Sequence, residues 1–361
     1  MLTVYAANSM KKTSLPFGEL GLIEQIRRDF ATSSGAVKLG IGDDCAILRP
    51  PSGSEVLVTT DFTLENRHFR RDTHPPESVG HRCLARGLSD LAAMGATPLA
   101  AFLSLALPST MLSEAAGRAW TAGFFNGLRA LVELHSVPLA GGDTSESPGG
   151  KNALILADIV LIGSAPKGKS LRRSGAEPGD ALYVTGQLGG AAAELAAMLG
   201  RKKPTPNLKT TTNHPHMFPE PRLDVGEALL RRGLATACLD ISDGLSTDLA
   251  HLCRASGVNA EIEQEELPIH PLAARLGEQS ALHEALHGGE DYELLFTASS
   301  TTRMPSSLAG VPITRIGTLK PRRAGQPLMT LLSPNGSRTE LKPGGWEHFS
   351  KAAKASKKTS R

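Results

Sequence analysis

Short apolar runs alternate with amphipathic stretches along almost the whole chain, a rhythm that admits an α/β or α+β architecture and little else. Residues 18–30 (GELGLIEQIRRDF) read as a first helix and 56–60 as a β-branched strand. Residues 79–94 read as a helix whose Leu84, Leu88 and Leu91 form one apolar stripe. A second long helix is expected over 115–135, followed by buried strands at 137–140 and 154–162. The texture then changes: 164–180, SAPKGKSLRRSGAEPGD, is polar, basic and rich in Gly and Pro, so a domain boundary belongs near its start. Beyond it come a strand at 181–185, helices at 189–200 and 223–232, a helix ending at Gly288 and a strand at 292–297. The Pro- and Thr-rich stretch between 201 and 222 reads as an exposed loop. At 361 residues the chain suits two domains rather than one.

Charge narrows the class. The formal charge is +3, but Lys351, Lys354, Lys357, Lys358 and Arg361 crowd into the tail, and with those five set aside the body carries about −2. A nucleic-acid binder should carry basic charge on a folded face, so no nucleic-acid partner is expected. Cys45, Cys83, Cys238 and Cys253 are scattered without a C-x-x-C pair, which points to reduced thiols in the cytoplasm. No stretch approaches the ~18 apolar residues of a membrane span, so no membrane partner is expected either.

The chemistry-bearing pattern is a series of acids where apolar segments end. They are Asp43 and Asp44 in GIGDD, Asp61 in VTTDF, Asp90 in LSDLAAMG, Asp143 in AGGDTS, Asp240 and Asp243 in LDISDG, and Glu290 with Asp291 in GGEDYE. Loops at one sheet edge converge in α/β folds, and clustered carboxylates repel unless a cation neutralises them. Oxygen donors of this kind suit Mg²⁺, which takes one or two carboxylates together with phosphate oxygens and water. Thr59 and Asp61, two apart on a strand, share a face. Asp240 and Asp243 flank the start of a helix whose stripe is Leu245, Leu249 and Leu252, an end fit to receive a phosphate. Arg172 and Arg173 supply guanidinium groups near the domain seam.

Each signal also has a plain structural explanation. Asp90 can pair with Arg86 one turn earlier, Asp243 can be only a helix cap, Asp43 and Asp44 can be turn formers beside Gly42, and Arg172 and Arg173 can be a solvated face. Five acid-bearing loops at element termini in one chain are harder to explain that way. One motif points elsewhere: His283-Glu284-Ala285-Leu286-His287 matches H-E-x-x-H, the zinc-hydrolase helix. Gly288-Gly289 ends that helix at once and nothing marks a third ligand, so coincidence is the better reading. There is no G-x-x-x-x-G-K-[ST] phosphate loop.

Taken in order, GELGLI, GIGDDCAIL, TTDFTLENRHF, LSDLAAMGATP, GGDTSESP, LRRSGAEPGD, LDISDGL, GGEDYEL and GWEHF resemble the thiamine-monophosphate kinase family over residues 18–349. LSDLAAMGA and GGDT occur more loosely in aminoimidazole ribonucleotide synthetase and selenophosphate synthetase, whereas GGEDYEL with GWEHF is more specific to the thiamine-monophosphate branch. The resemblance implies a two-domain α/β fold of the aminoimidazole ribonucleotide synthetase type. Residues 17–163 would form an ATP- and Mg-binding, dimerising domain, 164–349 an α/β domain completing the site, and 350–361 a basic, disordered tail. It implies a homodimer that phosphorylates thiamine monophosphate with ATP as co-substrate and several Mg²⁺ ions. Metal ligands would be Asp44, Thr59, Thr60, Asp61, Asp90, Asp143, Asp240 and Asp243. Gly142, Asp143, Arg173 and Ser242 would touch the nucleotide, and His68, Glu290 and Trp346 the substrate.

Phosphoryl transfer to a phosphate needs little base catalysis, since the acceptor oxygen is already anionic; direct in-line transfer with no catalytic side chain is expected. The nearest alternative is another ATP-dependent synthetase or kinase of the same superfamily, then a nucleotide sensor without turnover, then a zinc hydrolase using HEALH. Two departures stand out: Asn66-Arg67 where the family carries a Gly–hydrophobic pair before HF, and Met217-Phe218 where it often has basic residues.

Overall fold

A computed structural model describes residues 18–30, 35–200, 214–347 and 349, so the basic tail lies outside the described residues. The N-terminal half runs α1 (Glu19–Asp29), β1 (Val37–Leu39), β2 (Ile47–Leu48), β3 (Ser54–Leu64), α2 (Pro76–Ala93), β4 (Thr97–Leu107), α3 (Thr110–Ser113), α4 (Ala115–Leu134), β5 (Leu139–Glu146) and β6 (Leu156–Pro166). There follow β7 (Ala181–Thr185), α5 (Gly190–Gly200), α6 (Leu223–Arg231), β8 (Ala237–Asp240), α7 (Leu245–Ser256), β9 (Val258–Glu263), α8 (Pro271–Ala274) and α9 (Glu278–His287). The chain continues through β10 (Leu294–Ala298), β11 (Ser307–Leu308), β12 (Val311–Pro321), β13 (Met329–Leu332) and β14 (Arg338–Glu340).

The N-terminal sheet has the order β3-β6-β4-β5, antiparallel except for the β4–β5 pair. Side chains alternate across it. On β3, Leu57 and Thr63 point into the protein, while Val56, Val58 and Phe62 stay 50%, 61% and 58% exposed on the opposite face. The inner face is covered by α2, whose stripe of Leu84, Leu88 and Leu91 is buried as the 3.6-residue period requires. The C-terminal sheet has the order β14-β13-β9-β12-β7-β10-β8 with β11 appended to β12. Leu245, Leu249 and Leu252 of α7 pack into its core.

The halves are fused rather than hinged. One apolar core runs from α2 through Leu223, Val225 and Leu229 of α6 to Phe296 of β10. At the crossing of α2 and α6 the backbones nearly touch: a Cβ on Gly226 would sit 1.9 Å from the Ala92 carbonyl oxygen, so only glycine fits.

Two expectations change, and some strands were not anticipated. Asp61 and Asp143 lie within strands rather than at their ends, because β3 runs on to Leu64 and β5 takes in the whole of LAGGDTSE. The strands β9 and β12 to β14 had no legible signal. Residues 214–222, expected in an exposed loop, are largely interior: His216, Met217 and Phe218 are 2%, 2% and 4% exposed. Phe218 packs edge-on against His81, whose Nε2 donates to the Pro219 carbonyl at 2.8 Å.

Candidate active site

The site grows from the polar face of α2. Arg82, Arg86 and Asp90 recur every four residues, so they stack in a column on one side of a helix otherwise buried in apolar contacts. The column meets the inner face of β3. Thr59 Oγ1 donates to Asp90 Oδ2 at 2.5 Å, and Arg86 grips Asp61 with two contacts of 2.8 and 3.0 Å. Arg86 therefore does not pair with Asp90 as helix spacing alone suggests; its guanidinium turns to Asp61 and lies 3.8 Å from Glu290. Arg82, only 2% exposed, donates to the His68 carbonyl at 2.7 Å and to Glu290 Oε1 at 2.5 Å.

The C-terminal half supplies the other wall. Asp240 ends β8 with its carboxylate accepting from Ser89 Oγ at 2.8 Å. Burial, with Asp90 nearby, pushes the Asp240 carboxyl up to about 7, and burial with Asp61 nearby pushes Asp90 upward too. Arg173 acts on both carboxyls in the opposite sense. Cys238 N–H donates to the Arg172 carbonyl, which ties that basic segment to β8.

Beyond Asp240 the chain enters α7, and its cap is not Asp243. Gly244 occupies the cap position, and Asp248 Oδ2 accepts from the N–H groups of both Asp243 and Gly244 at 3.0 Å. Burial, with Asp240 and Asp243 nearby, pushes the Asp248 carboxyl up to about 8. Two donors expected to face a phosphate are thus taken up inside the protein. Residues 344–346 dock on this helix end. Gly344, Gly345 and Trp346 donate their N–H groups to Ser246 Oγ, Thr247 Oγ1 and the Asp243 carbonyl at 3.2, 3.1 and 2.9 Å. A Cβ on Gly345 would sit 1.9 Å from the Asp243 carbonyl oxygen, so glycine is required here too. Ser246 in turn lies 2.8 Å from His287 Nδ1. That contact gives the second histidine of HEALH a structural role, and among the described residues no three His, Cys, Asp or Glu side chains converge as a metal cage.

Glu290 closes the wall. Its N–H donates to the Ser242 carbonyl at 2.8 Å, and its backbone is left-handed, φ 68°. Burial opposes its ionisation, but the Arg82 guanidinium and His216 hold its carboxyl well below the usual range. Asp291 turns away and caps α5, accepting from Gly189 and Ala191 N–H at 2.7 and 3.1 Å. Trp346 is 45% exposed, with the Arg67 guanidinium carbon 5.7 Å from its ring centre. His68 Nδ1 accepts from Leu64 N–H at 2.9 Å, closing a tight turn that carries Arg67.

The expected ligand set therefore divides. A chain of contacts draws Thr59, Asp61, Asp90, Asp240 and Asp243 together with Arg173, Ser242, Glu290 and Trp346. Thr60, next along β3, points to the outer face by strand alternation. Gly142 and Asp143 lie on edge strand β5, Asp143 exposed and in register with Ser104 of β4. Asp44 is exposed in the loop before β2, its N–H donating to Asp43 Oδ1 at 2.9 Å. Sequence reasoning missed Arg82, Arg86, Ser89 and Asp248. The first two had a readable signal, since charges at a four-residue period within an apolar helix need a polar partner. The donor set suits Mg²⁺: Asp90 and Asp240 are buried carboxyls whose ionisation burial opposes, and the Thr59 hydroxyl and Asp61 carboxylate add oxygen donors beside Asp90.

Comparison with known proteins agrees with this architecture. The family profile for AIR synthase related protein, N-terminal domain, matches residues 42–165, and that for the C-terminal domain matches 177–307. The thiamine-monophosphate kinase of Escherichia coli (strain K12) is 37% identical over 339 residues, which is 92% of this chain and 98% of that one. The thiamine-monophosphate kinase from Stenotrophomonas maltophilia K279a superposes with a TM-score of 0.74 at 33% identity, covering 89% of this chain and 98% of that one. The solved structure of AaThiL complexed with AMPPCP and TMP gives 0.69 at 31%, covering 92% and 97%. With both domains matched and relatives this similar over nearly their full length, the chain belongs to the thiamine-monophosphate kinase family of phosphotransferases, built from the paired AIR synthase related domains.

Proposed function

We propose that this chain transfers the γ-phosphoryl group of ATP to thiamine monophosphate, giving ADP and thiamine diphosphate by direct in-line displacement. The observation that carries this reading is the meeting of the α2 column with Asp240 and the Glu290 loop, where acids and guanidinium groups from both halves are in contact. The chemistry asks little of a base: the acceptor oxygen is anionic already, so the site must overcome repulsion between two anions and align them. Asp61, Asp90, Asp240 and Asp243, with Thr59, would hold Mg²⁺, which supplies charge neutralisation between the phosphates when bound. Arg173 is suited to the nucleotide phosphates, and Ser242 and Gly142 to close backbone approach. Glu290, Trp346 and His68 border the space where the acceptor's rings would lie.

Thr60 faces outward on β3 with the exposed Val56, Val58 and Phe62, Gly142 and Asp143 lie on edge strand β5, and Asp44 is in the exposed loop before β2. An apolar stripe of this kind on an open sheet favours a second copy as its cover, so a homodimer is the proposed state. Such a pairing would bring Asp44, Thr60, Gly142 and Asp143 to a shared cleft. The division near residue 164 fits the two matched segments. Among the described residues no helix is long and apolar enough to cross a membrane, and the cysteines there are free thiols, which supports a cytoplasmic setting.

Incubation with ATP, Mg²⁺ and thiamine monophosphate, following ADP and thiamine diphosphate, tests the reading. Formation of both in equal amounts supports it. AMP as product, or ADP only with another acceptor, overturns it in favour of a different superfamily reaction.

A further inference from the structure

Glu290 is held by a relay of two buried histidines that reaches across the molecule. His74 follows the turn after β3, whereas His216 belongs to the interior segment before α6. Their Nε2 atoms are 3.0 Å apart. His216 Nδ1 lies 3.0 Å from Glu290 Oε2, a contact off the line of a regular hydrogen bond. The far end is anchored by backbone: His74 Nδ1 accepts from Arg70 N–H at 3.2 Å, with Thr73 Oγ1 2.9 Å away.

That anchor fixes every proton in the chain. A backbone amide only donates, so His74 Nδ1 must present its lone pair, and the neutral ring carries its proton on Nε2. His74 Nε2 therefore donates to His216 Nε2, which leaves the His216 proton on Nδ1, facing Glu290. Burial and the neighbouring Arg82 guanidinium keep both rings neutral. The segment bearing His216 is itself pinned to α5: Glu194 accepts from His216 N–H at 2.8 Å and lies 2.6 Å from His214 Nδ1.

The two carboxylate oxygens of Glu290 are thus assigned separately. Arg82 takes Oε1 and His216 addresses Oε2, which sets the plane of the carboxylate. The backbone beneath it is left-handed and held by the Glu290 N–H bond to the Ser242 carbonyl. The side chain keeps 23% of its surface open, so part of this oriented carboxylate can meet a ligand. A carboxylate aimed in this way takes a ring N–H donor or a ring cation, not the acceptor's phosphate.

We propose that His216, supported by His74, is a positioning residue for Glu290, and that the braced carboxylate selects the amino-bearing, cationic ring portion of the acceptor. This rests on the reading that thiamine monophosphate is the acceptor and that Glu290 touches it.

The test is steady-state kinetics on the full-length enzyme, with each substrate varied in turn. His216→Leu removes the donor; His216→Asn puts an amide N–H where Nδ1 stood; His216→Gln puts one where Nε2 stood. The expected result is a KM for thiamine monophosphate raised about tenfold or more in His216→Leu and His216→Gln, about 1.4 kcal/mol per tenfold step. In His216→Asn it returns to within about threefold of the parent, and kcat and the KM for ATP stay within about threefold throughout. His74→Gln, which keeps a donor at the Nε2 position, should behave like the parent, and His74→Leu should repeat His216→Leu more mildly. This second pair serves if substitutions at 216 prevent folding. Equal effects of Asn and Gln at 216, or losses spread over kcat and both KM values, would overturn the relay. Failure of the underlying reading is separable: the parent enzyme would then form no thiamine diphosphate, or Glu290→Gln would leave the acceptor KM unchanged.

Discussion

Arg67 holds its guanidinium 5.7 Å from the ring centre of Trp346, joining the turn after β3 to the segment docked on α7. The turn is rigid. Asn66 is left-handed at φ 63°, its N–H donates to the Phe69 carbonyl at 2.7 Å, and His68 N–H donates to the Leu64 carbonyl at 2.8 Å. Arg67 is therefore delivered to the indole by the fold.

A cation over an exposed indole is worth about 0.5–1 kcal/mol, and a cationic thiazolium ring would compete for the same face. Arg67→Gly should lower the KM for thiamine monophosphate by roughly two- to fivefold and leave the KM for ATP unchanged. Tryptophan emission offers an independent check. The chain has two tryptophans, and Trp120 is stacked between Phe69 and Phe124, so in a Trp120→Phe background the signal reports Trp346. Emission identical with and without Arg67 would count against the contact.

Burial and a neighbouring carboxylate oppose the ionisation of both Asp90 and Asp240, so each neutral amide should relieve strain while removing a proposed ligand. Asp90→Asn and Asp240→Asn should each cut kcat by about 100-fold or more at saturating Mg²⁺. The midpoint of thermal unfolding without metal should hold steady or rise. A drop of many degrees in that midpoint would mean that both carboxylates serve the fold instead.

His81 donates from Nε2 to the Pro219 carbonyl, and burial lowers its folded pKa from 6.5 to about 4. Between those values the unfolded chain binds more protons than the folded one. Stability is therefore complete above about pH 6.5 and is lost as pH falls toward 4, by at most about 3 kcal/mol from this group. His81→Gln keeps an amide N–H near Nε2 and cannot titrate. Denaturant unfolding at pH 7 and pH 5 should show a smaller pH dependence in the variant, and equal slopes would exclude His81 as a source.

Val58 is 61% exposed at the middle of the outer stripe of β3. If that face is covered by a second copy, Val58→Asp should halve the mass seen by light scattering and reduce turnover with it. An unchanged mass in parent and variant, at the value of one chain, would rule the interface out.

How far the fold was legible depended on how local its causes are. Leu84, Leu88 and Leu91 announced α2 because burial on one face repeats at the helical period. The strands β9 and β12 to β14 were not legible, since each is defined by partners elsewhere: β9 pairs with β12 and β13, more than fifty residues later. The acids of the site could be picked out because carboxylates beside apolar runs need a partner, although Asp61 and Asp90 proved to lie inside β3 and α2. Their partners could not: Arg82 and Glu290 are 208 residues apart, and no spacing rule connects them. Residues 214–219 read as exposed because proline and threonine surround them, yet His74, His81 and Glu194 supply the contacts that bury them.

The crossing of α2 over α6 at Ala92 and Gly226 has a further implication for how this molecule opens. Two helices whose backbones meet with no side chain between them form a weld, and a single oily interior continues through it. Substrate entry by jaw-like parting of the halves would tear that interior open. Melting should therefore proceed as one cooperative event rather than half by half.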